Sequence, residues 1–116
     1  MITVKISTNN EGAITKIDAS GHAGYDVAGK DIVCAAVSTA VQLTILTLQN
    51  LIGDHVEVAE DDDGITIDVG MHGNDRSVMC AMLGFLEFTN SLQASFPANV
   101  KVHLSTTNLW RCEQCR

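Results

Sequence analysis

A histidine and a cysteine bracket a glycine-rich loop near the start of this chain, in the run Ser20-Gly21-His22-Ala23-Gly24-Tyr25-Asp26-Val27-Ala28-Gly29-Lys30-Asp31-Ile32-Val33-Cys34. Those two residue types make a nucleophile and its base. An imidazole that titrates near neutrality takes the proton of a thiol and returns it to a leaving amine, the general-base, general-acid cycle of cysteine hydrolases. Gly21, Gly24 and Gly29 let the connecting loop fold back at little steric cost, so that the ring of His22 can reach the sulfur of Cys34. Asp31 precedes an apolar run without glycine or proline until Gly53, and is expected as a helix N-cap. Cys34 would then lie in the first helical turn, where free N–H groups and the helix dipole favour thiolate over thiol and stand ready for an oxyanion. Ser38, four residues on, shares the helix face of Cys34 and is placed to bind substrate or to orient the histidine.

Residue types alone leave a plainer reading open. A cysteine in an apolar helix also serves as a small packed hydrophobe, and a histidine in a polar loop as a solvated side chain. The wider motif is more specific. Gly21-His22-Ala23, the later Gly29, and Asp31-Ile32-Val33-Cys34-Ala35-Ala36-Val37-Ser38 resemble the signature of the ribosomal-processing cysteine proteases, the Prp family. The resemblance extends in length and order of elements to about Thr106. It implies that His22 and Cys34 form a catalytic dyad, with Asp31 and Ser38 as supporting residues. It also implies a substrate, a large-subunit ribosomal protein (number twenty-seven) made with an N-terminal extension that the protease removes before assembly. An aromatic residue before the cut and a small one after it follow from the same resemblance, as does a homodimer. The chemistry needs no cofactor and no metal.

Composition agrees with this reading. The chain has 116 residues, 46% of them hydrophobic, which suits one domain with a modest core. Its formal net charge is −7, so it has no basic footprint for a phosphate backbone and no nucleic-acid partner is expected. A basic protein would be attracted to such a surface. Met1-Ile2-Thr3-Val4-Lys5-Ile6 alternates like a strand and lacks the basic and apolar blocks of a signal peptide, so a cytoplasmic location is expected. Ile32 to Gly53 carries no charge, yet Ser38, Thr39, Gln42, Thr44, Thr47, Gln49 and Asn50 interrupt it, which argues against a membrane span.

Periodicity supplies the elements that must position the dyad. Ile2, Val4 and Ile6 alternate with polar residues, Asn9 to Gly12 makes a turn, and Ala13 to Ser20 returns as a second strand. A helix is expected from about Ile32 to Leu51, then a second hairpin from His55 to Glu60 and Ile65 to Val69 about the turn at Asp61 to Gly64. Asn74 is the expected N-cap of a second helix in which Val78, Met82, Phe85, Leu86, Thr89 and Leu92 recur at helical spacing, ending before Pro97. Val100, Val102 and Leu104 form a last strand. The order β-β-α-β-β-α-β makes a single α+β domain with two helices packed on a mostly antiparallel sheet. It is expected to span residues 1–106, followed by a tail of residues 107–116. Leu43, Ile45, Leu46 and Leu48 surround the first helix, so a sheet alone would not cover it; the second helix or a partner subunit must bury the remainder.

Other features admit a functional reading and have a simpler one. Glu60-Asp61-Asp62-Asp63 lacks EF-hand spacing and fits a solvated turn. His72 is a candidate second base or metal ligand but stands as an isolated loop histidine, and His55 and His103 fall in expected strands. The tail Cys112-Glu113-Gln114-Cys115 has the C-x-x-C pattern of zinc and redox sites, but it has no second pair and opens no helix. Against the protease stands a binding or assembly module whose glycine loop grips a peptide or ribosomal partner. Replacing Cys34 would abolish turnover in the first case and leave affinity untouched in the second.

Overall fold

Alternation in Ile2-Thr3-Val4-Lys5-Ile6 sends three aliphatic side chains to one face of a strand, and in the computed structural model all three are buried. The structure describes residues 1–21, 28–105 and 109–110, with the backbone alone for residues 28–31. Strand β1 (Ile2–Thr8) turns into β2 (Ile14–Ser20), and the turn is built by Asn9, whose Oδ1 accepts from the N–H groups of Glu11 (2.9 Å) and Ala13 (3.1 Å). Helix α1 (Ala28–Ile52) follows, then β3 (Glu57–Glu60), β4 (Gly64–Asp68), α2 (Arg76–Ser95) and β5 (Val100–Leu104). The five strands form one sheet in the order β3-β4-β2-β1-β5. Three pairings are antiparallel and one, β1 with β5, is parallel, so the sheet is mixed.

Both helices cover the same face of the sheet. Val33, Val37, Val41, Ile45 and Leu48 of α1 and Val78, Met82, Phe85 and Leu86 of α2 recur every three or four residues and are buried against Val4, Ile6, Ile17, Ile67 and Val100. The opposite face carries Thr3, Lys5, Lys16, Asp18, Thr66, Asp68, Lys101 and His103 and is left to solvent, the usual arrangement for a sheet of antiparallel hairpins. The α+β expectation holds, as does the order of its elements.

Several boundaries differ from the periodicity reading. Helix α1 begins at Ala28 rather than after Asp31, so Asp31 lies in its first turn and is not its N-cap, and Gly29 belongs to the helix rather than to a loop. Nothing in Ala28-Gly29-Lys30 blocks a helix, since none is proline or β-branched, and the long run behind them extends the helix at the modest cost of one glycine. Asn74 does not cap α2. Its Oδ1 accepts from Asn9 Nδ2 at 2.9 Å, and the N-cap position falls to Asp75. His55 lies in a 3₁₀ turn (Gly53–His55) that ends the first helix, ahead of β3. Leu109 and Trp110, assigned from sequence to the tail, return to the domain: Leu109 packs on the core, and the Trp110 N–H donates to the Gly12 carbonyl at 2.8 Å.

Candidate active site

Helix α1 is the floor of an open cleft of about 220 Å³. Cys34, Val37, Ser38, Val41 and Gln42 lie along one side of the helix, at the three- and four-residue steps that keep side chains on one face. Cys34 is half-buried and free, and Ser38 and Gln42 are exposed. The expectation that Cys34 and Ser38 share a face is met. The opposite side is formed by the end of β2 (Ala19, Ser20, Gly21), by Ile2 at the start of β1, and by the β3–β4 turn from Glu60 to Ile65.

Two close backbone approaches fix this geometry. Gly21 has φ +99°, a left-handed conformation, and a Cβ there would collide with the Met1 carbonyl oxygen. Its N–H donates to the Asp63 carbonyl at 2.9 Å, which ties the exit of β2 to the β3–β4 turn. At Gly64 a Cβ would collide with the Ala19 carbonyl oxygen and come within 2.8 Å of Ser20 Cα, so only glycine lets β4 lie this close to β2. Gly21 is the residue before His22, and it lines the same cleft as Cys34.

His22 and Gly24 lie outside the described residues, as do Cys112 and Cys115, and of Asp31 only the backbone is described. The earlier start of α1 moves Cys34 from the first turn to the second. Its N–H therefore falls past the four free donors of the helix terminus, and the oxyanion donors expected there do not include the cysteine's own amide. His72 is far from this chemistry. It stacks on His55 with ring centroids 4.6 Å apart, its Nδ1 lies 3.2 Å from Asp75 Oδ2, and neither histidine lines the cleft. Among the described residues no group of three or more His, Cys, Asp or Glu side chains converges as a metal site.

Sequence reasoning missed three parts of the cleft. Gln42 was legible, since it lies two turns from Cys34 on one helix face. Ile2 and the acidic turn come in through tertiary pairing of β1, β2 and β4, for which the local pattern carries no signal.

Comparison with known proteins assigns the family. The sequence model of the family described as Cysteine protease Prp matches residues 1–101. The chain belongs to the Prp family. The Prp enzymes of two Staphylococcus aureus strains, Mu50 and NCTC 8325, each described as a ribosomal processing cysteine protease, are 36% identical to it over 64 residues. That stretch is 55% of this chain and 60% of those relatives' length. Among solved structures, the Streptococcus mutans protein SMU.848 superposes with a TM-score of 0.80 at 28% identity, over 90% of this chain and 93% of that one. Staphylococcus aureus Prp in complex with a covalently linked product peptide also gives 0.80, at 24% identity over 90% and 100% of the two chains, which places this chain in the Prp fold.

Proposed function

We propose that this chain is a cysteine endopeptidase that removes the N-terminal extension of a large-subunit ribosomal protein, number twenty-seven, before ribosome assembly. The observation that carries the reading is that Cys34 and Gly21, the residue before His22, line one cleft in a chain of the Prp family. The names of the relatives, which describe ribosomal processing, support the substrate.

In this mechanism His22 draws the proton from Cys34 Sγ, and the thiolate attacks the scissile carbonyl. A C–S bond forms and the carbonyl electron pair moves to oxygen. Collapse of that intermediate breaks the C–N bond, and the histidinium gives its proton to the departing amine. Water, deprotonated by His22, then attacks the acyl-enzyme, releasing the acid and restoring the thiol. Ser38, one turn beyond Cys34, supports the site, and Asp31 has that role by family resemblance alone.

The active form is a homodimer in the cytoplasm. Leu43, Leu46 and Phe88 are 64%, 57% and 42% exposed, and Leu43 and Phe88 line a groove of about 590 Å³ between the outer faces of α1 and α2. A second copy covering that face would complete the burial that one sheet and one helix leave unfinished.

The test is cleavage, read by mass spectrometry, of a peptide copying the ribosomal extension. Wild type is expected to cut once, and Cys34→Ala and His22→Ala to lose at least about a thousandfold in rate. Folded wild type that leaves the peptide intact would overturn the proposal.

A further inference from the structure

The cleft has an apolar floor. Ile2, Ala19, Val37 and Val41 line it and are buried, and Ile65 packs against the same core. A peptide lying on that floor gives up water, so its main-chain carbonyl and N–H groups need partners in the walls. The carboxylates of the β3–β4 turn accept hydrogen bonds, whereas a substrate carbonyl needs a donor. Among the described side chains that line the cleft, apart from the nucleophile itself, the donors are the hydroxyls of Ser20 and Ser38 and the carboxamide of Gln42.

Two of these donors continue the line of the cysteine. Cys34, Ser38 and Gln42 stand four residues apart on one side of α1, a step of about 6 Å along the helix axis. An extended chain repeats every two residues, about 6.6–6.8 Å. The two spacings agree closely enough that a peptide running along α1, with its scissile carbonyl at Cys34, brings every second residue beside one of the three side chains. Gln42, about 12 Å from Cys34, then faces the third or fourth residue from the scissile bond. The polar side chains of α1 also divide by use. Thr39, Thr44, Thr47 and Asn50 donate to the carbonyl four residues earlier, and none of them lines the cleft. Ser38 and Gln42, which do line it, make no such bond to their own helix, and both are exposed.

We propose that Gln42 is a substrate-binding residue whose carboxamide NH₂ group donates to a main-chain carbonyl of the peptide, three or four residues from the bond that Cys34 cleaves. Because the contact is to the main chain, it reads the length and extended form of the substrate and not the side chain at that place. The inference rests on the peptidase reading of the cleft.

The experiment measures kcat and KM of wild type, Gln42→Ala and Gln42→Glu on a cleavable peptide and on versions shortened one residue at a time from each end. On the full peptide Gln42→Ala should raise KM about three- to tenfold with kcat nearly unchanged, the size of one hydrogen bond made equally in ground and transition states. Gln42→Glu keeps the length of the side chain and an acceptor but loses the donor, and should show the same loss. Shortening past the third or fourth residue at one end should raise KM for wild type and abolish the difference between wild type and Gln42→Ala. Thermal melts of the variants should match wild type, since the side chain is exposed. Equal losses on full and shortened peptides, wild-type KM in Gln42→Glu, or no loss in Gln42→Ala would overturn the proposal while leaving the protease in place. Absence of cleavage of every peptide by wild type would instead remove the peptidase reading and this inference with it.

Discussion

A methyl group at position 64 is the smallest change that should disturb the cleft. Gly64→Ala would drive a Cβ into the Ala19 carbonyl oxygen, and the response must be separation of β4 from β2 at the point where the acidic turn begins. We expect a cost of about 1–3 kcal/mol, read as a fall in Tm of about 4–8 °C per kcal/mol for a domain of this size. Gly21→Ala combines a collision with the Met1 carbonyl oxygen and a left-handed φ, and should cost at least as much. It should also lower peptidase activity, since Gly21 joins the cleft wall to His22. Thermal melts and peptide cleavage on the same samples check both effects. Asn9→Ala is a control remote from the cleft: it removes two turn hydrogen bonds and the bond to Asn74, and should cost about 1–3 kcal/mol with kcat/KM unchanged. These residues also show what the sequence conveys. That Cys34 and Ser38 share one side of the cleft was legible because helical spacing is local. The need for glycine at position 64 was not, because it arises from the pairing of β2 with β4, residues distant along the chain.

Helix α1 has two working faces. One carries Val33, Val37, Val41, Ile45 and Leu48 into the core, with Cys34 and Ser38 at its margin on the cleft; the other shows Leu43 and Leu46 to solvent. Leu48→Ala should cost about 2–5 kcal/mol, because Leu48 is fully buried and the cavity left between helix and sheet has little means of collapse. Urea unfolding measures it. Hydroxyls conceal how apolar the outer face is. Thr39, Thr44 and Thr47 each donate to the carbonyl four residues earlier, at 2.7–2.8 Å, so each has its polar atom already satisfied within the helix. In sequence these threonines read as polar interruptions, and they served to argue against a membrane span. By length and composition the helix is apolar enough to cross a membrane, while its valine stripe is buried against the sheet. The start of α1 was misjudged because Asp31 has the type of an N-cap, while three permissive residues ahead of it let the helix begin sooner.

For the whole molecule, the exposed leucines predict association. Sedimentation of wild type at micromolar concentration should give a dimer, and Leu43→Glu with Leu46→Glu a monomer of unchanged helix content; a monomeric wild type would leave the α1 and α2 face without its proposed partner. The order and type of the elements were readable from periodicity, but the parallel pairing of β1 with β5 was not, since no local pattern says which strands become neighbours. That pairing has a temporal consequence. Ile2, at the rim of the cleft, donates its N–H to the Asn99 carbonyl at 2.8 Å, and β1 is clamped between its neighbour in sequence and the strand made last. During translation the first hairpin emerges early and must wait for β5 before its free edge is satisfied. The rim of the cleft at Ile2 is thus fixed in place only once β5 has paired with β1.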